Sequence, residues 1–349
     1  MKIVSFFSGS GGLDLGFEKS GFDVVWANEY DKCIWETYEK NHPNTVLDRR
    51  SITDIDSSEV PNCEGIIGGP PCQSWSEAGS LRGIDDKRGQ LFFDFIRIIK
   101  DKQPKFFLAE NVSGMLAPRH SEALKNIQDL FRDCGYNLSF ELLNSSDYGV
   151  PQDRKRVFFI GIRNDFNFEF QFPKPFDYRV NLKDSIGDLK DTVLPSIEKN
   201  HTNGNDCKIP NHEYLTGGFS TIFMSRNRVR SWDKQSFTIQ AGGRHCPIHP
   251  QAPKMIKVEK NKQIFSPEYE HLYRRMSVRE VARIQTYPDD FIFYYKSVLD
   301  GYKMVGNSVP VQLAKVLANR IKEQFEFHKN GDPDLQGSVN DVFIEKNNY

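Results

Sequence analysis

Over residues 1–163, short apolar runs alternate with longer amphipathic ones, and this alternation limits the fold more than any other feature of the chain. The runs at 3–7, 23–27, 65–67, 105–109, 138–143 and 156–162 have the length of strands, while 13–20, 31–41, 91–101 and 121–134 carry apolar residues at helical spacing. Strands and helices in this order build a doubly wound α/β domain, a mostly parallel sheet with helices on both faces. Sheets of this kind carry their active residues just beyond the carboxyl ends of the strands.

Beyond residue 163 the periodicity fades into a Phe/Pro-rich stretch (166–178), a short helical piece (182–189), a polar loop (198–211) and a Gly-, Arg- and aromatic-containing region reaching about residue 273. Helices are expected at 277–285 and, after Pro310, at 311–326. The expected organisation is an α/β domain over 1–165, a small loop-rich domain over 166–285, a segment over 286–327 that returns to the first domain, and a disordered tail over 328–349. No run of 18 apolar residues exists, and Met1-Lys2 leads straight into a strand-like segment. Neither a membrane span nor a signal peptide is therefore expected, and the cytoplasm is the expected compartment.

Six cysteines occur without a Cys-x-x-Cys pair, which argues for reduced thiols rather than a disulfide framework or a zinc ribbon. The nearest approach to a metal cluster, Cys207, His212, Cys246 and His249, matches no finger spacing, so no metal is expected. Charge is uneven. Residues 221–285 hold 13 Lys or Arg against 5 Asp or Glu, although the whole chain is at −1. A polyanion would be drawn to that segment.

Phe7-Ser8-Gly9-Ser10-Gly11-Gly12 ends a strand and opens a helix, where small residues let backbone amides approach a ligand. Glu29, at the end of the next strand, suits ribose hydroxyls, whether the nucleotide is NAD or S-adenosylmethionine. Gly9 and Gly11 begin a G-x-G-x-x-G pattern, but its last position is Asp14, so the dinucleotide fingerprint fails.

Three further segments carry reactive groups. Gly68-Gly69-Pro70-Pro71-Cys72-Gln73 places a thiol on a turn that two prolines stiffen; Glu110-Asn111-Val112 follows a strand; Gln152-Asp153-Arg154-Lys155-Arg156 sets two guanidinium groups two residues apart. A thiolate at Cys72 can act as a nucleophile. Glu110 can donate a proton or hydrogen bond, Asn111 can orient it, and Arg154 and Arg156, on one side of an extended segment, can hold a carbonyl oxygen and steady Glu110.

These motifs, in this order, resemble the DNA cytosine-5 methyltransferase family over about residues 1–325. The resemblance implies the doubly wound S-adenosylmethionine-dependent methyltransferase fold with an inserted small target-recognition domain. It implies S-adenosylmethionine as cofactor, S-adenosylhomocysteine as its product and duplex DNA as partner. By this resemblance Phe7 packs on the adenine, Gly9, Gly11 and Gly12 form the cofactor turn, Glu29 holds the ribose and Tyr30 lines the adenine pocket. Ser51, Ile52, Pro71, Leu91, Asn307 and Val309 also lie beside the cofactor. Arg50-Ser51-Ile52 stands where the family usually has Gly-Asp-Ile, and Ser51 accepts less strongly than a carboxylate. Cys72 is implied as nucleophile, Glu110 as the assisting acid and Arg154 as the base-binding arginine. The target nucleotide must leave the duplex to be reached, and the segment 73–90 resembles the loop that closes over it.

Ser225-Arg226-Asn227-Arg228-Val229-Arg230 sets arginines at every second position, and Arg244 follows. Arginine paired with guanine is the commonest specific major-groove contact. Segments 68–86 and 214–230 resemble the restriction–modification subgroup that modifies GGCC, a site suited to an arginine-led reader. Arg226, Arg228, Arg230 and Arg244 are the expected DNA-binding residues. A monomer is expected, paired in function with a restriction endonuclease but not in a stable complex. A tRNA cytosine-5 methyltransferase and a catalytically silent DNA-binding protein remain the alternative readings.

Overall fold

The structure, a computed structural model, describes residues 1–71 and 87–330. Cys72 and most of the expected closing loop lie outside the described residues, as does the tail from residue 331. Two compact units emerge. One holds residues 1–144, 155–175 and the chain from 314; the other holds Ser145–Arg154 and Phe176–Leu313.

A seven-stranded sheet is the frame of the first unit. Its strands are β1 (Lys2–Phe6), β2 (Asp23–Asn28), β3 (Val46–Asp48), β4 (Gly65–Gly68), β5 (Phe106–Val112), β6 (Tyr136–Asn144) and β7 (Lys155–Arg163), in the order β3-β2-β1-β4-β5-β7-β6. All are parallel except β7, which runs antiparallel to both β5 and β6. The helices are α1 (Gly12–Glu18), α2 (Trp35–Asn41), α3 (Lys87–Lys102) and α4 (Ser121–Asp133).

Strand alternation divides the core between the two faces. Val4 and Phe6 of β1, Ile66 of β4, Phe107 and Ala109 of β5 and Phe159 of β7 pack with Phe92, Phe95 and Ile99 of α3 and Ile127 and Phe131 of α4. Phe106, on the opposite face of β5, meets Phe17 of α1 at 6.4 Å and Phe325 at 6.0 Å. Each buried Val, Ile or Phe among them contributes roughly 1.5–3 kcal/mol. Helices thus cover both faces, the doubly wound arrangement expected from the sequence.

Several boundaries differ from the expectation. β3 is absent from the sequence reading because Val-Leu-Asp is too short to show a period. Residues 87–90, expected within a loop, open α3.

In the second unit, α5 (Leu182–Ile186), α6 (Val278–Ile284) and α7 (Val298–Asn307) are joined by long irregular stretches. Two small pairs of strands accompany them: β8 (Leu194–Pro195) with β9 (Glu213–Tyr214), and the hairpin β10 (Ile256–Glu259) with β11 (Lys262–Ile264). A cluster of Phe223, Val229, Ile248, Ala252, Met255 and Tyr273 is buried in it. Residues 286–313, expected to return to the first domain, group with this unit, as does the segment Ser145–Arg154. The last helix, α8 (Val311–Asn330), extends past the expected end at 326, and from Ala314 it belongs to the first unit. Among the described residues no helix is long and apolar enough to cross a membrane.

Candidate active site

The Gly-rich turn leaves β1 with three positive φ angles, at Phe7 (53°), Gly9 (56°) and Gly11 (84°). Phe7 is half-buried, with its ring 6.4 Å from that of Phe95. A side chain at Gly9 would meet nothing within 4 Å, so this backbone borders open space where a ligand can approach. Gly11 is the opposite case, since a Cβ there would fall 2.1 Å from His42 Nε2.

Beside the turn, Glu29 accepts from the amides of Gly9 (2.9 Å) and Asp31 (2.7 Å). Burial pushes its carboxyl up, against those two amides, which favour the charged form. The Tyr30 backbone is a third donor to it, so of the roughly four acceptor positions of a carboxylate about one remains for a hydroxyl donor. Tyr30 is 71% exposed and Ile52 is buried. Ser51 caps a short turn, its hydroxyl accepting from Thr53 Oγ1 at 2.8 Å and from Thr53 N at 3.4 Å. Leu91, on α3, packs against the core, and Pro71 is exposed. An open backbone, a carboxylate acceptor and an exposed aromatic ring fit an adenosyl group. Gly12 begins α1, while Asn307 (exposed) and Val309 (buried) belong to the second unit.

A polar network beneath the turn was not foreseen. Asp14, which displaces the third glycine of the dinucleotide fingerprint, is fully buried and accepts from Ser5 Oγ and Tyr38 Oη, each at 2.6 Å. Burial pushes its carboxyl up, opposed by His42 and the two hydroxyls. The His42 ring stacks on Tyr38 at 4.5 Å, and its Nδ1 lies 3.0 Å from Glu18 Oε2. The only sequence signal was the aspartate itself, out of place in an apolar helix face.

The reactive constellation rests on sheet register. β4 and β5 pair Gly68 with Ala109, so the Gly69-Pro70-Pro71 turn lies next to Glu110 and Asn111. Asn111 Nδ2 donates to the Pro70 carbonyl at 3.0 Å, and its Oδ1 accepts from Val112 N at 2.8 Å. It therefore ties down the backbone just before Cys72, rather than orienting Glu110 as expected. β5 and β7 pair Val112 with Arg156, which puts Arg156 on the same face as Glu110, one diagonal step away. Arg156 Nε lies 2.9 Å from Glu110 Oε1, an ion-pair distance without hydrogen-bond alignment, since Oε1 has no hydrogen-bond partner. The two side chains are 17% and 12% exposed.

Arg154 differs from the expectation of two arginines on one strand face. β7 begins at Lys155, and Arg154 lies in the second unit, where it is buried and donates to the carbonyls of Ile239 (2.9 Å) and Gly306 (3.0 Å). Its guanidinium is engaged with backbone, whereas that of Arg156 faces the acid.

The expected DNA-binding arginines also divide. Arg226 and Arg244 are exposed. Arg228 is buried, donates to the carbonyls of Phe223 (2.8 Å) and Ile222 (3.1 Å), and lies over the Phe223 ring. Arg230 pairs with Asp153 at 3.3 Å and covers Phe237. Period-two spacing did not place all of them on one side because this segment is an irregular loop. Among the described residues no group of three or more His, Cys, Asp or Glu is arranged to hold a metal ion.

Comparison with known proteins bears on most of the chain. The profile of the C-5 cytosine-specific DNA methylase family matches residues 1–323. The chain is 62% identical over 326 residues to the Type II methyltransferase M.FnuDI of Fusobacterium nucleatum, covering 93% of this chain and 94% of that protein. Against the Type II methyltransferase M.NgoPII of Neisseria gonorrhoeae it is 58% identical over 331 residues, covering 93% and 96%. Among solved structures it is similar to a DNA modification methyltransferase encoded within an E. coli prophage, with a TM-score of 0.70 over 93% of this chain and 99% of that one. Identity to that structure is 24%, so the likeness speaks for the fold. The chain belongs to the C-5 cytosine-specific DNA methylase family and is a DNA cytosine-5 methyltransferase.

Proposed function

We propose that the protein transfers a methyl group from S-adenosylmethionine to carbon 5 of a cytosine flipped out of duplex DNA, within GGCC, and so protects DNA from a partner restriction endonuclease. The carrying observation is the convergence at one end of the central strands β4, β5 and β7 of the Pro70-Pro71 turn, Glu110 and Arg156. The names of the relatives as Type II methyltransferases support the protective role. The protein acts as a monomer, without a stable endonuclease complex.

In this reading the Cys72 thiolate adds to carbon 6, and the electron pair displaced toward nitrogen 3 is met by a proton or hydrogen bond from Glu110. Arg156 holds Glu110 and the rim of the base site, Asn111 anchors the turn that carries the thiol, and Arg154 braces the second unit. Bound S-adenosylmethionine supplies the methyl group. Phe7, Glu29, Tyr30 and the Gly9–Gly11 turn would hold its adenosyl part, with Ser51, Ile52, Pro71 and Leu91 beside them. Solvent water then takes the carbon 5 proton, the carbon 6–sulfur bond breaks with Cys72 leaving as thiolate, and the ring double bond is restored. Arg226 and Arg244 read guanine edges, while Arg228 holds the reading loop in shape.

Plasmid incubated with the protein and S-adenosylmethionine should resist a GGCC-cutting nuclease and stay sensitive to nucleases of other specificity. DNA carrying 5-fluorocytosine in GGCC should trap the wild type covalently, and Cys72→Ala should not be trapped. Trapping that persists in Cys72→Ala, or methylation of tRNA in preference to duplex DNA, would overturn this reading.

A further inference from the structure

The second unit holds a cavity of about 280 Å³ that no step of the reaction uses, lined by Asn227, Arg230, Ser231, Lys234, Phe237 and Lys254. We propose that this cavity is a phosphate clamp that grips one phosphodiester of the DNA backbone, separately from the residues that read bases. The inference rests on the DNA-methyltransferase reading above.

The walls of the cavity are built, not incidental. Asn227 Oδ1 accepts from the amides of Met255 (3.0 Å) and Val229 (3.3 Å), and its Nδ2 donates to the Val229 carbonyl at 2.7 Å. The first of these bonds ties the chain at Met255, next to Lys254, to the segment carrying Arg230, so two stretches distant in sequence present cations to one space. Arg230 is held by Asp153 on one side and Phe237 below, and its buried Nε has no hydrogen-bond partner. Lys234 has an exposed partner in Asp233 at 3.3 Å, a pair that contributes little in water. Lys254 is exposed and makes no ion pair among the described residues.

Charge narrows the ligand. Arg230, Lys234 and Lys254 set against Asp153 and Asp233 leave one net positive charge, which matches the single negative charge of a phosphodiester. The lining exposes more apolar than polar surface, with the cationic ends of Arg230, Lys234 and Lys254 as its charged groups, and offers no edge-specific pattern of donors and acceptors, so the grip carries position and not sequence.

The test is the salt dependence of duplex binding by the full chain, measured for GGCC and for single-substituted sites. Lys254→Gln and Lys234→Gln should each reduce the slope of log K against log[salt] by about 0.9 per lost phosphate contact. Affinity should fall by the same factor on every duplex. Slopes equal to wild type in both variants would overturn the clamp, as would a loss confined to one base-pair position. Wild type that binds no duplex at any salt would overturn the clamp and the underlying reading together. Retained binding with unchanged slopes in the variants would overturn the clamp alone.

Discussion

Arg156 Nε lies 2.9 Å from Glu110 Oε1, on the one face of the β5–β7 pair that also borders the turn before Cys72. The carboxyl is largely out of water and lies beside a guanidinium.

Glu110→Gln should lower the single-turnover rate of methyl transfer by about 10²–10⁴, the usual range for a lost acid or base, with little change in DNA affinity. Arg156→Ala should lower both rate and stability, the latter by about 1–3 kcal/mol, because it leaves the carboxyl without its partner. Rapid-quench kinetics and thermal melting separate the two. A Glu110→Gln variant with an unchanged chemical step would assign the carboxyl to structure.

Gly11→Ala should weaken both S-adenosylmethionine binding and the fold. Its φ of 84° costs a side chain about 1–2 kcal/mol, and the added Cβ would collide with His42. Calorimetric titration with the cofactor, beside a melting curve, checks this. Gly9→Ala keeps the backbone penalty but meets no neighbour, so it should cost less stability than Gly11→Ala.

The second unit should lose stability steadily as pH falls from 6.5 toward 2. Burial alone would push Glu280 up, but Arg274, at 2.7 Å through both Nη atoms, holds it down at about 2. Burial also drives His249, 3.4 Å from Glu280, down to about 4. For the glutamate the folded value lies below its usual 4.5. Its contribution is therefore complete above that value and disappears as pH falls through about 2. The histidine must take up a proton on unfolding, which favours the unfolded chain below 6.5 until the folded form also protonates near 4. Trp232, edge-on to His249 at 5.1 Å, gives a fluorescence signal for an acid titration. Glu280→Gln should be less stable near neutrality and flatter between pH 4.5 and 2.

Arg228→Ala should lower the melting temperature, with a cost of about 1–3 kcal/mol for two carbonyls left without their donor. Arg226→Ala and Arg244→Ala should leave the melting temperature unchanged and cost about 1–3 kcal/mol at one base pair of GGCC. Competition binding against single-substituted sites reads the second effect. A uniform loss over all competitors would move Arg226 and Arg244 to the DNA backbone.

Much of this protein was determined by local sequence. The alternation of apolar runs specifies a doubly wound sheet because strand and helix periods are properties of a few consecutive residues. The Phe7 to Gly12 turn, Glu29 and the Pro70-Pro71-Cys72 segment announce themselves by residue type and by their place after strands, whereas Glu110–Val112 ends β5 and Lys155-Arg156 opens β7. Tertiary structure alone decided who meets whom. β5–β7 register joined Glu110 to Arg156, β4–β5 register gave Asn111 to the Pro70 carbonyl, and a change of unit after Arg154 parted two arginines only two residues apart. Asp14 looked like a failed glycine until Ser5, Tyr38 and His42 closed around it. Arg228 looked like its neighbours until Phe223 and Ile222 turned their carbonyls toward it. Hydrogen bonds between distant segments leave no period in the sequence, so their partners become known only once the chain has folded.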